Sequence, residues 1–178
     1  MKSAVLVIDV QSILFDPEPR PFESQLVLEK INAVTESARS YSIPVIFIQH
    51  EQPNTGIEYG SDGWKLQASL VIESSDLFVR KTTPDSFLHT NLEKVLKELE
   101  VERVLLCGYA SEFCVDTTAR RAAGLGYHVT LIADAHTTHD KMHATGAEIR
   151  KHHNSTLPNI SSFGVKIEAI PFDSIWSS

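Results

Sequence analysis

The sequence predicts an α/β fold. It is read as a doubly wound, mostly parallel six-stranded sheet with helices on both faces, a three-layer α/β/α arrangement built by residues 1–178 as a single domain. Three observations predict it. Short unbroken apolar runs recur along the chain, segments of helical period separate most of them, and no Pro/Gly/Ser-rich stretch or charge block interrupts the alternation as a linker would. At 178 residues, with 42% apolar and 22% charged composition, the chain can bury one substantial core without staples.

The first run, AVLVI at 4–8, reads as a strand covered on both faces. A helix follows over 24–41, where Leu26, Leu28, Ile31, Val34 and Ala38 make an apolar stripe. The second strand is VIFI at 45–48. Between His50 and Asp76 the chain carries Pro53, Asn54, Gly56, Gly60, Ser61, Asp62 and Gly63 without periodicity. A loop of that length in a compact domain is functional or disordered, and Tyr59 and Trp64 favour a pocket wall. The third strand is LFV at 77–79, and a helix over 90–100 presents Leu92, Val95, Leu96 and Leu99. The fourth strand, VLLC at 104–107, leads into a helix from 111 to about 125 that stops at Gly126. VTLI at 129–132, a helix over 140–153 and a weaker strand at 165–170 complete the order.

Composition excludes several functions. The net charge of -7 opposes phosphate backbones, and the 16 Lys and Arg residues form no stripe, so no nucleic-acid partner is expected. The opening apolar run ends at Asp9, too early for a signal peptide, and no segment approaches the ~20 apolar residues of a membrane span. The expectation is a soluble, unprocessed, cytoplasmic chain with no membrane partner. Only two cysteines are present, Cys107 and Cys114, without CxxC spacing. That excludes a disulfide framework, suits a reducing compartment and weakens a thiol redox role.

In open parallel sheets, ligands bind beyond the carboxyl ends of the strands. Asp9 follows the first strand, Lys81 the third, and Cys114 the fourth after the turn Gly108-Tyr109-Ala110. Ser111 reads as an N-cap that places Cys114 at the third helical position. There, unpaired N–H groups, the helix dipole and a nearby ammonium would favour thiolate and could hold an oxyanion. A carboxylate, an ammonium and a soft nucleophile on one rim suit covalent acyl transfer. Each residue taken alone also has a plain structural role: an Asp capping a turn, a solvated Lys at a strand end, a Cys filling the core.

The segments Val7-Ile8-Asp9-Val10-Gln11, Arg80-Lys81-Thr82-Thr83-Pro84-Asp85-Ser86-Phe87 and Cys107-Gly108-Tyr109-Ala110-Ser111-Glu112-Phe113-Cys114-Val115, with Asp134-Ala135 after the fifth strand, resemble the isochorismatase-like cysteine hydrolases. The likeness runs in order over nearly the whole chain. It implies Asp9, Lys81 and Cys114 as a catalytic triad, a non-proline cis peptide at Tyr109-Ala110, and an oxyanion hole from the N–H groups of Ala110 and Cys114. Trp64, Phe87 and Tyr109 are then pocket walls, with an ordinary core role as the other reading of Phe87. The family also implies a homo-oligomer, dimer or tetramer, to which Ala119, Ala122, Ala123 and Leu125 could contribute a close-packing helix face.

One departure bears on substrate. Nicotinamidases of this family carry an Asp-x-His metal pair after the second strand, where this chain reads Gln49-His50-Glu51-Gln52. His50 and Glu51 point in different directions from an extended strand end, and His139, His143, His152 and His153 are explained as a polar helix face. No metal and no cofactor are expected, and nicotinamide is disfavoured. The resulting expectation is a hydrolase cleaving an amide or carbamoyl C–N bond of a small molecule through a thioester. Vinyl-ether cleavage without the thiol, and a non-catalytic binding module, are the alternatives.

Overall fold

In the computed structural model, which describes residues 1–176, six parallel strands stand in the order β3-β2-β1-β4-β5-β6. The strands are β1 (Ser3–Ile8), β2 (Val45–His50), β3 (Leu77–Lys81), β4 (Arg103–Tyr109), β5 (His128–Thr137) and β6 (Ile167–Ile170). The helices are α1 (Ser12–Phe15), α2 (Ser24–Ser40), α3 (Leu92–Glu98), α4 (Asp116–Gly124), α5 (Gly146–Thr156) and α6 (Phe172–Ile175). No helix of the described residues is long and apolar enough to cross a membrane.

The central strand explains the unbroken apolar run. Every residue of β1 is buried, with Ala4, Leu6 and Ile8 in one hydrophobic cluster and Val5 and Val7 in a second on the opposite face. The edge strand β3 has neighbours on one side only. Its Leu77, Phe78 and Arg80 are exposed while Val79 and Lys81 turn inward.

The order of the sheet creates the site. From β1 the chain winds outward through β2 and β3, then returns to the other side of β1 with β4, so the direction of winding reverses between β1 and β4. Crossovers on either side of that point leave a crevice at the strand ends, where Asp9 and Ala110 emerge. Gly108 lets the two strands close there. It pairs with Ile8, its φ is +114°, and a Cβ would lie 2.1 Å from the Ile8 carbonyl oxygen.

Several boundaries differ from expectation. In α2 the buried stripe is Val27, Leu28, Ile31, Val34 and Ala38, whereas Leu26 is 46% exposed, because Val27 continues the i, i+4, i+7 row. In α3, Leu99 is exposed past the end of the helix. Strand β5 extends to Thr137, so Asp134 and Ala135 lie within it, since after a register shift it keeps pairing with β4 out to Tyr109 opposite Thr137. Helix α5 starts at Gly146 rather than near 140, where Thr145 and Glu148 form a reciprocal capping box. Ala119, Ala122 and Ala123 are buried in this chain's own core. They offer no face to a second copy, and the sequence argument for an oligomer loses that support.

Candidate active site

Asp9 leaves β1 in the left-handed region, φ 51°, one of the few non-glycine types that enter it readily, and its N–H donates to the Ile48 carbonyl at 2.8 Å. Lys81 ends β3 with its side chain wholly buried. Its ammonium donates to Asp9 Oδ2 at 2.7 Å, to the Thr83 carbonyl at 3.1 Å and to Cys114 Sγ at 3.2 Å. The second Asp9 oxygen, Oδ1, is buried with no hydrogen-bond partner. The three side chains that sequence reasoning selected therefore meet at one point, 72 and 33 residues apart along the chain.

Cys114 does not sit where a helix cap would put it. Residues Ser111–Val115 form a π-helical turn ahead of α4, following a cis peptide at Tyr109-Ala110. Such widened turns are frequent at functional sites. Ser111 is not an N-cap: its hydroxyl meets His136 Nδ1 at 2.8 Å, and the ring's Nε2 meets Asn154 Oδ1 at 2.9 Å. Asn154 donates its amide to the Ala133 carbonyl, so its oxygen accepts from His136 Nε2–H, which leaves Nδ1 to accept from Ser111. That chain, wholly buried at Ser111 and His136, ties the Cys114 turn to β5 and α5. The Ala110 carbonyl accepts from the N–H groups of Phe113 and Val115, on either side of Cys114.

The electrostatics correct the expectation of a preformed thiolate. Burial pushes the Cys114 thiol up to about 12, the negative charge of Asp9 adds to it, and Lys81 opposes both without prevailing. The resting sulfur is a thiol. Cys107, by contrast, is wholly buried in the core, where burial alone raises its thiol far out of reach. His50 Nδ1 lies 3.1 Å from the Lys81 ammonium, and burial followed by that positive charge lowers its pKa below the ordinary histidine value. The imidazole is neutral at pH 7, with Nδ1 as acceptor and the proton on Nε2. Tyr109 OH meets His139 Nδ1 at 2.7 Å, and burial raises the phenol to about 12.

Above the sulfur opens a cavity of 250 Å³ lined by Leu14, Ile57, Pro84, Tyr109 and Phe113, with Asp9, His50, Ala110 and Cys114 at its base. Of the three aromatics expected as walls, only Tyr109 is there. Phe87 is buried and stacks on Tyr127 at 6.0 Å, the core role. Trp64 lines a separate cleft of 860 Å³ beside β3, with Tyr59, Phe78 and Arg80. The long loop contributes Ile57 to the Cys114 cavity and its aromatics to the other cleft.

Among the described residues, Asp9, His50 and Cys114 are the one set of three potential metal ligands whose donor atoms lie within 4.8 Å of one another. Lys81 already stands among them, its ammonium 2.7, 3.1 and 3.2 Å from the Asp9, His50 and Cys114 atoms. An incoming cation would have to displace an internal one, so the donor set as it stands does not fit a resident metal. Glu51 turns away and takes a bidentate bond from Arg80, at 2.7 and 2.8 Å. His139, His143, His152 and His153 form no convergent donor set.

Sequence reasoning placed His50 only as a weak metal candidate and gave no site role to Gln11, Leu14, Ile57, Pro84 and Phe113. Gln11 is wholly buried; its Nε2 donates to the carbonyls of His50 at 2.9 Å and Trp64 at 2.8 Å, and its Oε1 accepts from the His50 N–H at 2.9 Å. It fastens the end of β2 to the long loop. A polar residue three places past a buried strand is a weak signal for such a clamp, and the apolar wall residues carry none.

A parallel sheet with a cysteine turn at its winding reversal, and a buried Asp–Lys pair against the sulfur, defines the class of protein. The Isochorismatase domain family matches residues 3–157, and the chain belongs to that family. Streptothricin hydrolase of Streptomyces noursei is 33% identical over 138 residues, 77% of this chain and 50% of that protein, so the chain spans about half the length of this relative. The ureidoacrylate amidohydrolase RutB of Caulobacter segnis is 26% identical over 198 residues, covering 90% of this chain and 80% of that one. A solved isochorismatase family protein superposes with a TM-score of 0.87 at 34% identity, covering 95% of this chain and 98% of the other.

Proposed function

We propose that this chain is a cysteine-dependent hydrolase that cleaves a C–N bond of a small amide or carbamoyl compound through a thioester. The observation that carries the reading is the buried contact of Lys81 with both Asp9 and Cys114, at 2.7 and 3.2 Å, on the floor of a cavity. Relatives named as an amidohydrolase and a streptothricin hydrolase support the reaction class.

The resting thiol needs a base, and Asp9 Oδ1 is the unpartnered acceptor beside it. As sulfur attacks the carbonyl carbon, its proton passes to Asp9 and the S–C bond forms. Lys81 stabilises the negative charge growing on sulfur in a largely buried site. The N–H groups of Ala110 and Cys114 are assigned to the oxyanion. Collapse of the tetrahedral species breaks the C–N bond, and Asp9 returns the proton to the leaving nitrogen. Water then loses a proton to the same carboxylate, attacks the thioester and releases the acid and the thiol.

The test is ammonia release from a panel of small amides and ureides, with intact-mass detection of an acyl adduct on Cys114. Cys114→Ala should abolish turnover, at least a ~10³-fold loss by analogy with removal of other covalent nucleophiles, while the urea midpoint stays near that of the wild type. Turnover retained in Cys114→Ala, as a thiol-independent ether hydrolase would show, removes the assignment.

A further inference from the structure

The cavity over Cys114 also constrains what can be cleaved. Its five wall residues are apolar or aromatic, and its volume, 250 Å³, lies just under the usual range of about 300–1,000 Å³ for ligand sites. Its charges are already matched. Lys81 is paired with Asp9, and the Thr83 carbonyl, His50 Nδ1 and Cys114 Sγ share its remaining donors. His50 is held neutral by burial and by the Lys81 charge, and His139, at the Tyr109 hydroxyl, is shifted the same way by burial and Lys141.

The neighbouring cations are engaged elsewhere. Arg80 is locked to Glu51 and lies 3.5 Å over the Tyr59 ring, in the cleft on the other side of the loop. Lys141, 5.4 Å from the Phe113 ring centroid, pairs with Glu112 at 3.3 Å. A substrate carboxylate entering this cavity would lose its hydration and find no free cation among the described residues, and burying an unpaired charge is strongly unfavourable.

We infer that the substrate is a small neutral amide whose acyl side is apolar and branched or aromatic, and that Leu14, Ile57, Tyr109 and Phe113 select it against amides bearing a carboxylate. The inference rests on the proposed hydrolytic reading and narrows it. Leu14 and Ile57 come from α1 and from the 51–76 loop, segments that approach each other only in the fold, where the Leu14 and Ile13 region meets Gly56 and Gly63. The loop left without periodicity in the sequence therefore determines acyl specificity.

The test uses two amides of equal size, 4-methylpentanamide and succinamic acid, in which an isopropyl group is replaced by a carboxylate. Ammonia release should favour 4-methylpentanamide by at least ~100-fold in kcat/KM, the order expected when one member buries an unpaired charge. Ile57→Arg, which supplies a cation while keeping the backbone bond from the Gln52 N–H to the residue 57 carbonyl, should move the ratio at least ~10-fold toward succinamic acid.

A second measurement separates the two levels of the proposal. The matching aldehydes, 4-methylpentanal and succinic semialdehyde, can add reversibly to Cys114: the S–C bond forms and the thiol proton moves to the former carbonyl oxygen. Their protection of Cys114 from iodoacetamide reads the acyl preference without turnover. Preference for 4-methylpentanal with no ammonia from any amide supports the acyl-pocket inference and overturns the amide reaction. Equal or better protection by succinic semialdehyde overturns the inference, whatever the amides do.

Discussion

His136 couples stability to pH through the turn that carries Cys114. It is wholly buried between Ser111 and Asn154, and burial first of all depresses its pKa from 6.5 to about 4. The unfolded chain binds this proton near pH 6.5, while the native chain refuses it until about pH 4. Stability from this residue is therefore complete above pH 6.5 and is lost as pH falls through the window to about 4. A displacement of that size is worth about 3 kcal/mol, arriving at up to about 1.4 kcal/mol per pH unit. Urea titrations of the wild type and His136→Gln at pH 7.5, 6.5, 5.5 and 4.5 read it directly. Glutamine keeps a polar side chain in the slot but does not titrate. Its stability should be lower at pH 7.5 and should approach the wild-type value as the pH falls. His50 and His139, whose pKa values are also lowered, are present in both chains and cancel in the difference. Parallel curves for the two proteins would refute the argument, because they would mean that His136 titrates alike in the native and unfolded states.

Two further predictions concern the charges at the sulfur. Alkylation of Cys114 by iodoacetamide at pH 8 should be at least ~10-fold faster in Asp9→Asn and slower in Lys81→Met, since before solvent screening a unit charge at an effective dielectric of 20 is worth about 3.5 kcal/mol at the 4.8 Å that bounds Asp9 and about 5 kcal/mol at the 3.2 Å of Lys81. Equal rates in the three proteins would separate these residues from the thiol electrostatically. Lys81→Ala, which removes the internal cation, should bind Co²⁺ through Asp9, His50 and Cys114, with a thiolate-to-metal absorption band absent from the wild type. The same spectrum in both would show that Lys81 does not guard that position.

The parts of the molecule legible in the sequence are those fixed by a strong periodic or positional signal. Residues 4–8 read as a strand because a central position in a parallel sheet needs apolar residues on both faces, and Asp9, Lys81 and Cys114 stood out because strand ends are where such sheets expose chemistry. The far half of β5 was invisible for the opposite reason. Asp134, His136 and Thr137 look like loop, and they tolerate a buried strand only because specific partners satisfy them: Asp134 accepts from the Phe172 N–H, His136 bridges Ser111 and Asn154, and Thr137 donates to the Phe22 carbonyl. The start of α5 was available in the Thr-x-x-Glu signature at 145–148. The π-helical turn at Cys114 has no local signature, since it arises from how β4 and α4 join. The aromatics divided between core, cavity and cleft by tertiary position alone, which is why Trp64 and Phe87 went elsewhere while Tyr109 stayed.

Which cation reaches the sulfur is decided by the register of one edge strand. Successive side chains of a strand face opposite ways, so with Val79 in the core, Lys81 must point inward and Arg80 outward. The pairing of His50 opposite Lys81 holds that register against β2. Shifting it by one residue would bring Arg80 under the site, and the chemistry would change with it. A lysine ammonium is a compact charge with three donors, and four acceptors, Asp9 Oδ2, the Thr83 carbonyl, His50 Nδ1 and Cys114 Sγ, surround it here. A planar guanidinium suits two parallel carboxylate bonds instead, and Arg80 makes those with Glu51 while lying over Tyr59. The dipeptide Arg80-Lys81 thus sends two cations opposite ways: the guanidinium closes the wall of the open cleft beside β3, and the ammonium passes inward to Cys114 Sγ. Among the described residues, the charge that reaches Cys114 from this strand is one buried ammonium, already matched by Asp9, which is the electrostatic basis for expecting a neutral substrate.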